Sequence, residues 1–307
     1  MTEQQVREFD EKGFIILDGF LNPDEVNRLL DAVDEVAARI RRERNLAPDD
    51  KFAIRNLLAH HTAFLDLVDH PRMLPLVIDA MGWNLQIRTS HLDYRPPYPE
   101  GIAAGEIGTG AGSDGGAGYA NVNWHPDLAG AYLFEAPSLD GRLPFMESKV
   151  FYALSDLSES NRGNLWMVPG SHRRSPQELR DNGSRVDPEE AVELKLAPGS
   201  AVLWRTATWH CVGPNTSELT RKIIHIGYHY RWLRPTDYIT QDPELLASCS
   251  PIRRQLLGEL APGTDPLGED AEFTPASKHW IIKGGDDVPL RQWAEEQPGF
   301  EALTEPL

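Results

Sequence analysis

Residues 192–232 read VELKLAPGSAVLWRTATWHCVGPNTSELTRKIIHIGYHYRW, and this stretch decides the fold. Val192–Leu196 leads through Pro198-Gly199 into Ser200–Arg205, which predicts a hairpin-like pair of short strands. Gly213-Pro214-Asn215 supplies turn chemistry. Arg221 to Trp232 is a long aromatic and β-branched run, the composition of a strand. Upstream, Lys149–Leu154 and Asn164–Val168 are two more short runs, the second closed by Pro169-Gly170. Many short strands punctuated by Pro/Gly turns predict a mainly β chain with flanking helices, a jelly roll or barrel with helices packed outside.

The N-terminal part has a different rhythm. Gly13–Asp18 is a short apolar run between Gly13 and Gly19 and predicts a strand. Asn22-Pro23-Asp24-Glu25 then combines a capping box with Pro at the first helical position. Val26, Leu29, Leu30, Val33, Val36, Ala37 and Ile40 follow at helical spacing, so this helix should lie against the outer face of a sheet. Residues 62–81 predict a helical stretch split at His70-Pro71. From Asn84, Leu85, Ile87 and Thr89 alternate with Gln86, Arg88 and Ser90 as in a strand. Residues 98–120 are rich in Gly, Pro and Ala and predict a long mobile loop, either a lid over the neighbouring His125 or an insertion on the rim. The tail from Pro235 shows short helical patterns around 252–260 and 288–296. These readings make one domain: a helical region 1–82, a β core of about 84–232 with the 98–120 insertion, and an extension over 235–307.

Composition narrows the function classes. In 307 residues, 40% hydrophobic content supports one large core. A formal net charge of -17 argues against nucleic acid or an anionic membrane as partner. Cys211 and Cys249 are the two cysteines of the chain, too few for a disulfide framework, and the start of the sequence lacks the apolar core of a signal peptide. The expectation is a cytoplasmic protein acting on a small-molecule substrate.

The chemistry sits in His125-Pro126-Asp127. On a strand, residues two apart share a face, so His125 and Asp127 can bind one ion. His210, at a strand end before Gly213-Pro214-Asn215, supplies a second imidazole. Two imidazoles and one carboxylate form the facial triad of non-haem Fe(II) oxygenases, which leaves one face of the metal open. Arg221 would share a strand face with Ile223, His225, Gly227 and His229. A guanidinium pointing into a barrel needs an anion, and its fork matches a carboxylate. Trp124, Trp166 and His225 are candidates for lining a substrate pocket. Strand parity turns Cys211 away from the His210 face, and His172 reads as ordering its turn.

Together these residues resemble the phytanoyl-CoA dioxygenase family of Fe(II)/2-oxoglutarate-dependent oxygenases. The matching pieces run in family order: DEKGFIILDGFLNPDEVNRLL, WHPD, ALSDLSESNRGNLWMVPGSH, LAPGSAVLW and WHCVGPNTSELTRKIIHIGYHY. The resemblance implies a double-stranded β-helix (jelly-roll, cupin-like) core. It implies iron held by His125, Asp127 and His210, with 2-oxoglutarate and O2 as co-substrates. It further implies that Arg221 pairs with the distal carboxylate of 2-oxoglutarate, and Arg95 stands where some relatives carry a basic residue near that co-substrate. Related halogenating enzymes lack the carboxylate ligand, so Asp127 disfavours halogenation. Hydroxylation is the expected outcome. Desaturation, ring closure and epimerisation use the same chemistry. A metal-dependent enzyme without 2-oxoglutarate and a ligand-binding barrel without turnover are the competing readings.

Overall fold

A computed structural model of the chain describes residues 1–98, 124–127, 145–259 and 288–297. Its frame is two facing antiparallel sheets. The larger has six strands in the order β1 (Phe14–Leu17), β7 (Ala201–Arg205), β4 (Glu147–Ala153), β9 (Arg221–Tyr230), β3 (Leu85–Arg95) and β2 (Phe52–Arg55). The smaller runs β6 (Val192–Glu193), β5 (Leu165–Met167), β8 (His210–Val212), and His125 extends it by pairing with His210.

Period-two alternation gives each sheet an inner and an outer face. Phe14, Phe151, Ala153, Leu165, Met167, Val202, Trp204 and Ile223 come from both sheets and form one apolar core between them. Their strand neighbours Ile15, Val150, Tyr152, Leu203, Ile224 and Ile226 face outward, under the helices.

Helix α1 (Glu3–Lys12) begins with a Thr2 capping box and stops at Gly13, whose φ of 87° suits glycine. A Cβ at Gly13 would also lie 2.5 Å from the His172 ring, so no other residue fits. Helix α2 (Pro23–Arg44) starts with the Asn22/Glu25 capping box and buries Val26, Leu29, Val33, Val36, Ala37 and Ile40 on the outer face of the large sheet, as their spacing predicts. The 62–81 stretch divides as expected into a 3-10 segment, Thr62–Leu67, and helix α3 (Leu74–Met81). Helix α4 (Pro176–Asp181) covers the outer face of the small sheet through Leu179. In the tail, after α5 (Pro243–Ala247), α6 (Pro251–Leu256) packs beside β3 and α7 (Pro289–Glu295) packs against α6. Buried Gln255 donates to the Trp83 and Leu85 carbonyls and accepts from the Leu290 amide. Among the described residues no helix is long and apolar enough to cross a membrane.

One expectation is corrected. Val192–Glu193 and Ala201–Arg205 are not a hairpin. They belong to different sheets, and the Pro198-Gly199 turn carries the chain from one to the other. Helix α1 and strand β2 were not legible beforehand. Apart from Tyr98, the predicted 98–120 loop lies outside the described residues.

Candidate active site

The rim of the small sheet brings His125 and His210 together. Their backbones exchange two hydrogen bonds of 3.0 Å, and the rings stand 4.5 Å apart between centroids. Asp127, two residues on from His125, places Oδ2 3.7 Å from His210 Nε2. One ligand atom from each of His125, Asp127 and His210 falls within 4.8 Å of the others. His210 Nδ1 lies 2.8 Å from the Thr208 carbonyl, so Nδ1–H donates there and Nε2 is left with its lone pair for a metal. Burial lowers the His210 imidazole to about 4, against the pull of Asp127, and keeps it neutral at pH 7.

Lys149, on the inner face of β4, donates to Asp127 Oδ2 at 2.6 Å. Burial alone would raise the Asp127 carboxyl. The ammonium of Lys149 and the two imidazoles outweigh it and hold the carboxyl well below the usual range. Asp127 is therefore ionised and oriented. Sequence reasoning missed Lys149, although the parity that places Phe151 inside places Lys149 there too.

Along the same inner face the barrel is polar at both ends. Towards one end of β4 and β9 stand Glu147, paired with Arg88 at 2.6 Å, and His229, which meets Gln86 at 3.2 Å. Next come His91 and His225, stacked 4.3 Å apart, both kept neutral by burial. His225 also meets Trp204, and Trp204 meets His210. At the far end Arg221 opens β9 and is 1% exposed. Its Nη1 donates to Asp93 Oδ2. Its Nε and Nη2, both buried, have no hydrogen-bond partner among the described residues. Nε and Nη2 form one edge of the guanidinium, the edge a carboxylate engages with two parallel hydrogen bonds.

The sequence-derived residues thus divide. His125, Asp127 and His210 converge, and His225 and Arg221 share their interior. Arg95 lies at the Arg221 end, its Nε engaged with Asp93 at 2.9 and 3.0 Å. Trp124 and Trp166 do not line the interior. Trp124 packs with Val168, Leu179, Val186, Trp209 and Cys211 on the outer face of the small sheet. Trp166 sits between inward Leu165 and Met167, so it points outward, against Gly213. Each is displaced by the parity that turns Cys211 away from His210.

The residues fit the groups they are asked to hold. Two imidazoles and one ionised carboxylate on a single face suit a divalent first-row ion with open positions. The unpartnered edge of Arg221 suits the distal carboxylate of a 2-oxo diacid. Site and jelly roll together define an Fe(II)- and 2-oxoglutarate-dependent oxygenase.

Comparison with known proteins agrees. Residues 9–223 match the family described as Phytanoyl-CoA dioxygenase (PhyH), and the chain belongs to that family. It is 24% identical over 254 residues to a probable alpha-ketoglutarate-dependent hypophosphite dioxygenase of Stutzerimonas stutzeri, an alignment spanning 74% of this chain and 78% of that protein. Its fold resembles that of EctD from S. alaskensis, solved with 2-oxoglutarate and 5-hydroxyectoine. There the TM-score is 0.56 at 20% identity, covering 77% of this chain and 78% of EctD. It also resembles the carbocyclase SnoK of nogalamycin biosynthesis, with a TM-score of 0.55 at 18% identity over 79% of this chain and 94% of SnoK.

Proposed function

We propose that the protein hydroxylates an unactivated C–H bond of a small molecule, with His125, Asp127 and His210 as the iron ligands and Arg221 as the anchor of 2-oxoglutarate. Iron held there, with 2-oxoglutarate, supplies O2 activation coupled to release of succinate and CO2. The protein supplies position and exclusion of water. The observation that carries the reading is that the ligand triad and a buried, half-used guanidinium share the interior of one barrel.

Each residue has a separate task. His210 is fixed as the Nε2 ligand by its bond to Thr208, and Asp127 is held ionised by Lys149. Arg221 would take the distal carboxylate on its Nε–Nη2 edge. His225 and His91, lying along the face between Arg221 and Lys149, would flank the co-substrate as neutral, rigid walls. The Glu147–Arg88 end is left for the substrate. Asp127 supports hydroxylation over halogenation, because it fills the position a halide would need. The net charge of -17 supports a small molecule rather than nucleic acid as partner, and the two buried, unpaired cysteines suit a cytoplasmic location.

The test is succinate release from 2-oxoglutarate by the purified protein with Fe(II) and O2. Wild-type protein should release succinate slowly without substrate and faster with it, and His210→Ala should release none above background. Equal succinate formation by wild type and His210→Ala would overturn the reading.

A further inference from the structure

Arg95 and Arg221 are direct partners across the β3–β9 ladder. Like charges directly opposite each other are destabilising, the more so when one is buried. Asp93 removes the conflict. It lies two residues before Arg95 on the same face of β3 and is 9% exposed. It accepts from Arg95 Nε through both oxygens, at 2.9 and 3.0 Å, and from Arg221 Nη1 through Oδ2. The three side chains carry a net charge of one positive unit. The packing behind Arg221 is equally specific. Gly163 lies against its stem, where a Cβ would come within 2.5 Å of Cδ.

The choice of Nη1 has a geometric consequence. A guanidinium offers the Nε–Nη2 pair as one fork, and a partner on Nη2 or Nε would spoil it for a second carboxylate. Asp93 occupies Nη1 and leaves that fork intact. We infer that Asp93 is a positioning residue for the co-substrate: it fixes the plane of the Arg221 guanidinium and presents the Nε–Nη2 edge, while Arg95 neutralises Asp93 so that it does not repel the incoming carboxylate. This rests on the proposed role of Arg221. It also gives Arg95 an indirect part, acting through Asp93.

Charge and geometry predict opposite effects of removing Asp93, which makes the inference falsifiable. If Asp93 merely competes with 2-oxoglutarate for Arg221, neutralising it should tighten binding. If it positions Arg221, neutralising it should weaken binding. Asn cannot replace it, because one of the two atoms that now accept from Arg95 would become an N–H facing a donor.

The experiment is calorimetric titration of Fe(II)-loaded protein under argon. One ligand is 2-oxoglutarate; the other is 2-oxobutanoate, which shares the 2-oxo acid end and lacks the distal carboxylate. Asp93→Asn should raise the Kd for 2-oxoglutarate about tenfold or more, the loss typical of a buried charged hydrogen bond, and leave 2-oxobutanoate unchanged. Arg95→Met should also weaken 2-oxoglutarate, because Asp93 is then uncompensated, and Asp93→Asn added to Arg95→Met should recover part of that loss. This pair tests the neutralising role of Arg95. Should Asp93→Asn alone fold poorly, Asp93→Glu, which keeps the charge and moves the carboxylate, should weaken 2-oxoglutarate and spare 2-oxobutanoate, and unchanged 2-oxoglutarate binding there would equally overturn the inference. Unchanged or tighter 2-oxoglutarate binding in Asp93→Asn, or no recovery in the double variant, would overturn the inference. Arg221→Leu is the control on the underlying reading: unchanged 2-oxoglutarate binding there would remove both.

Discussion

Lys149 Nζ lies 2.6 Å from Asp127 Oδ2, so a buried ammonium is the counter-ion of the carboxylate in the proposed metal site. Both side chains are largely shielded from water, at 8% and 17% exposure. A buried ion pair broken on one side leaves an uncompensated charge.

From this follows the behaviour of Lys149→Met. Without metal the variant should lose about 3–5 kcal/mol, the usual cost of stranding one buried charge. A divalent ion at the triad replaces the lost ammonium as counter-ion. Urea unfolding with and without Co(II) should therefore show a larger metal-induced stabilisation in Lys149→Met than in wild type. An equal loss in both conditions would mean that Lys149 contributes packing alone.

Gly163→Ala tests the seat of Arg221. Gly163 has φ of 74°, and an added Cβ would press on Arg221 Cδ. The backbone strain should cost about 1–3 kcal/mol in urea unfolding. The displaced guanidinium should weaken 2-oxoglutarate binding in the same calorimetric titration without changing iron affinity. Wild-type 2-oxoglutarate affinity in Gly163→Ala would show that the Arg221 stem tolerates displacement.

Glu147 predicts a pH dependence of stability. Burial, opposed by Arg88 and Lys149, raises its carboxyl from the ordinary 4.5 to about 7. An acid with a raised value in the folded state contributes its stability in full below about pH 4.5, and loses it as pH rises through about 7. Glu147→Gln removes that titration. The stability difference between wild type and variant should shift by about 2–3 kcal/mol against wild type between pH 4.5 and 8. Urea midpoints of both proteins across this range measure it, and a pH-independent difference would place the Glu147 carboxyl near its ordinary value.

Much of the site was legible because the strand period is two. The parity of Arg221 with His225 on β9 places both inside. His125, by contrast, is a single bridge residue beside His210, and Asp127 lies in the turn after it. The strand expected over His125-Pro126-Asp127 is thus replaced by a bridge and a turn that still bring the two side chains together. The same period, applied to Trp124 and Trp166, would have turned them outward, since each neighbours a residue that faces in. Lys149 was hidden for a different reason. A lysine in a strand reads as a solvent-facing residue, and its burial depends on Asp127, which is 22 positions away in sequence. The Asp93–Arg221 contact is similarly set by the β3–β9 register, which no local pattern reveals. The capping boxes of α1 and α2 show the other limit. Asn22-Pro23-Asp24-Glu25 is followed by a long apolar stripe and was readable. Thr2 and Gln5 cap a charged helix with one buried residue, Phe9.

The most direct test of the account is the visible absorption of the protein titrated anaerobically with Fe(II) and then with 2-oxoglutarate. Wild-type protein should develop the charge-transfer band of an iron–2-oxo acid chelate, saturating with bound iron. His210→Ala should bind less iron and show no band, and Arg221→Leu should show the band only at much higher 2-oxoglutarate. A wild-type protein that binds iron without the band, or a His210→Ala protein that matches wild type, would contradict the assignment of His125, Asp127 and His210 as the metal site.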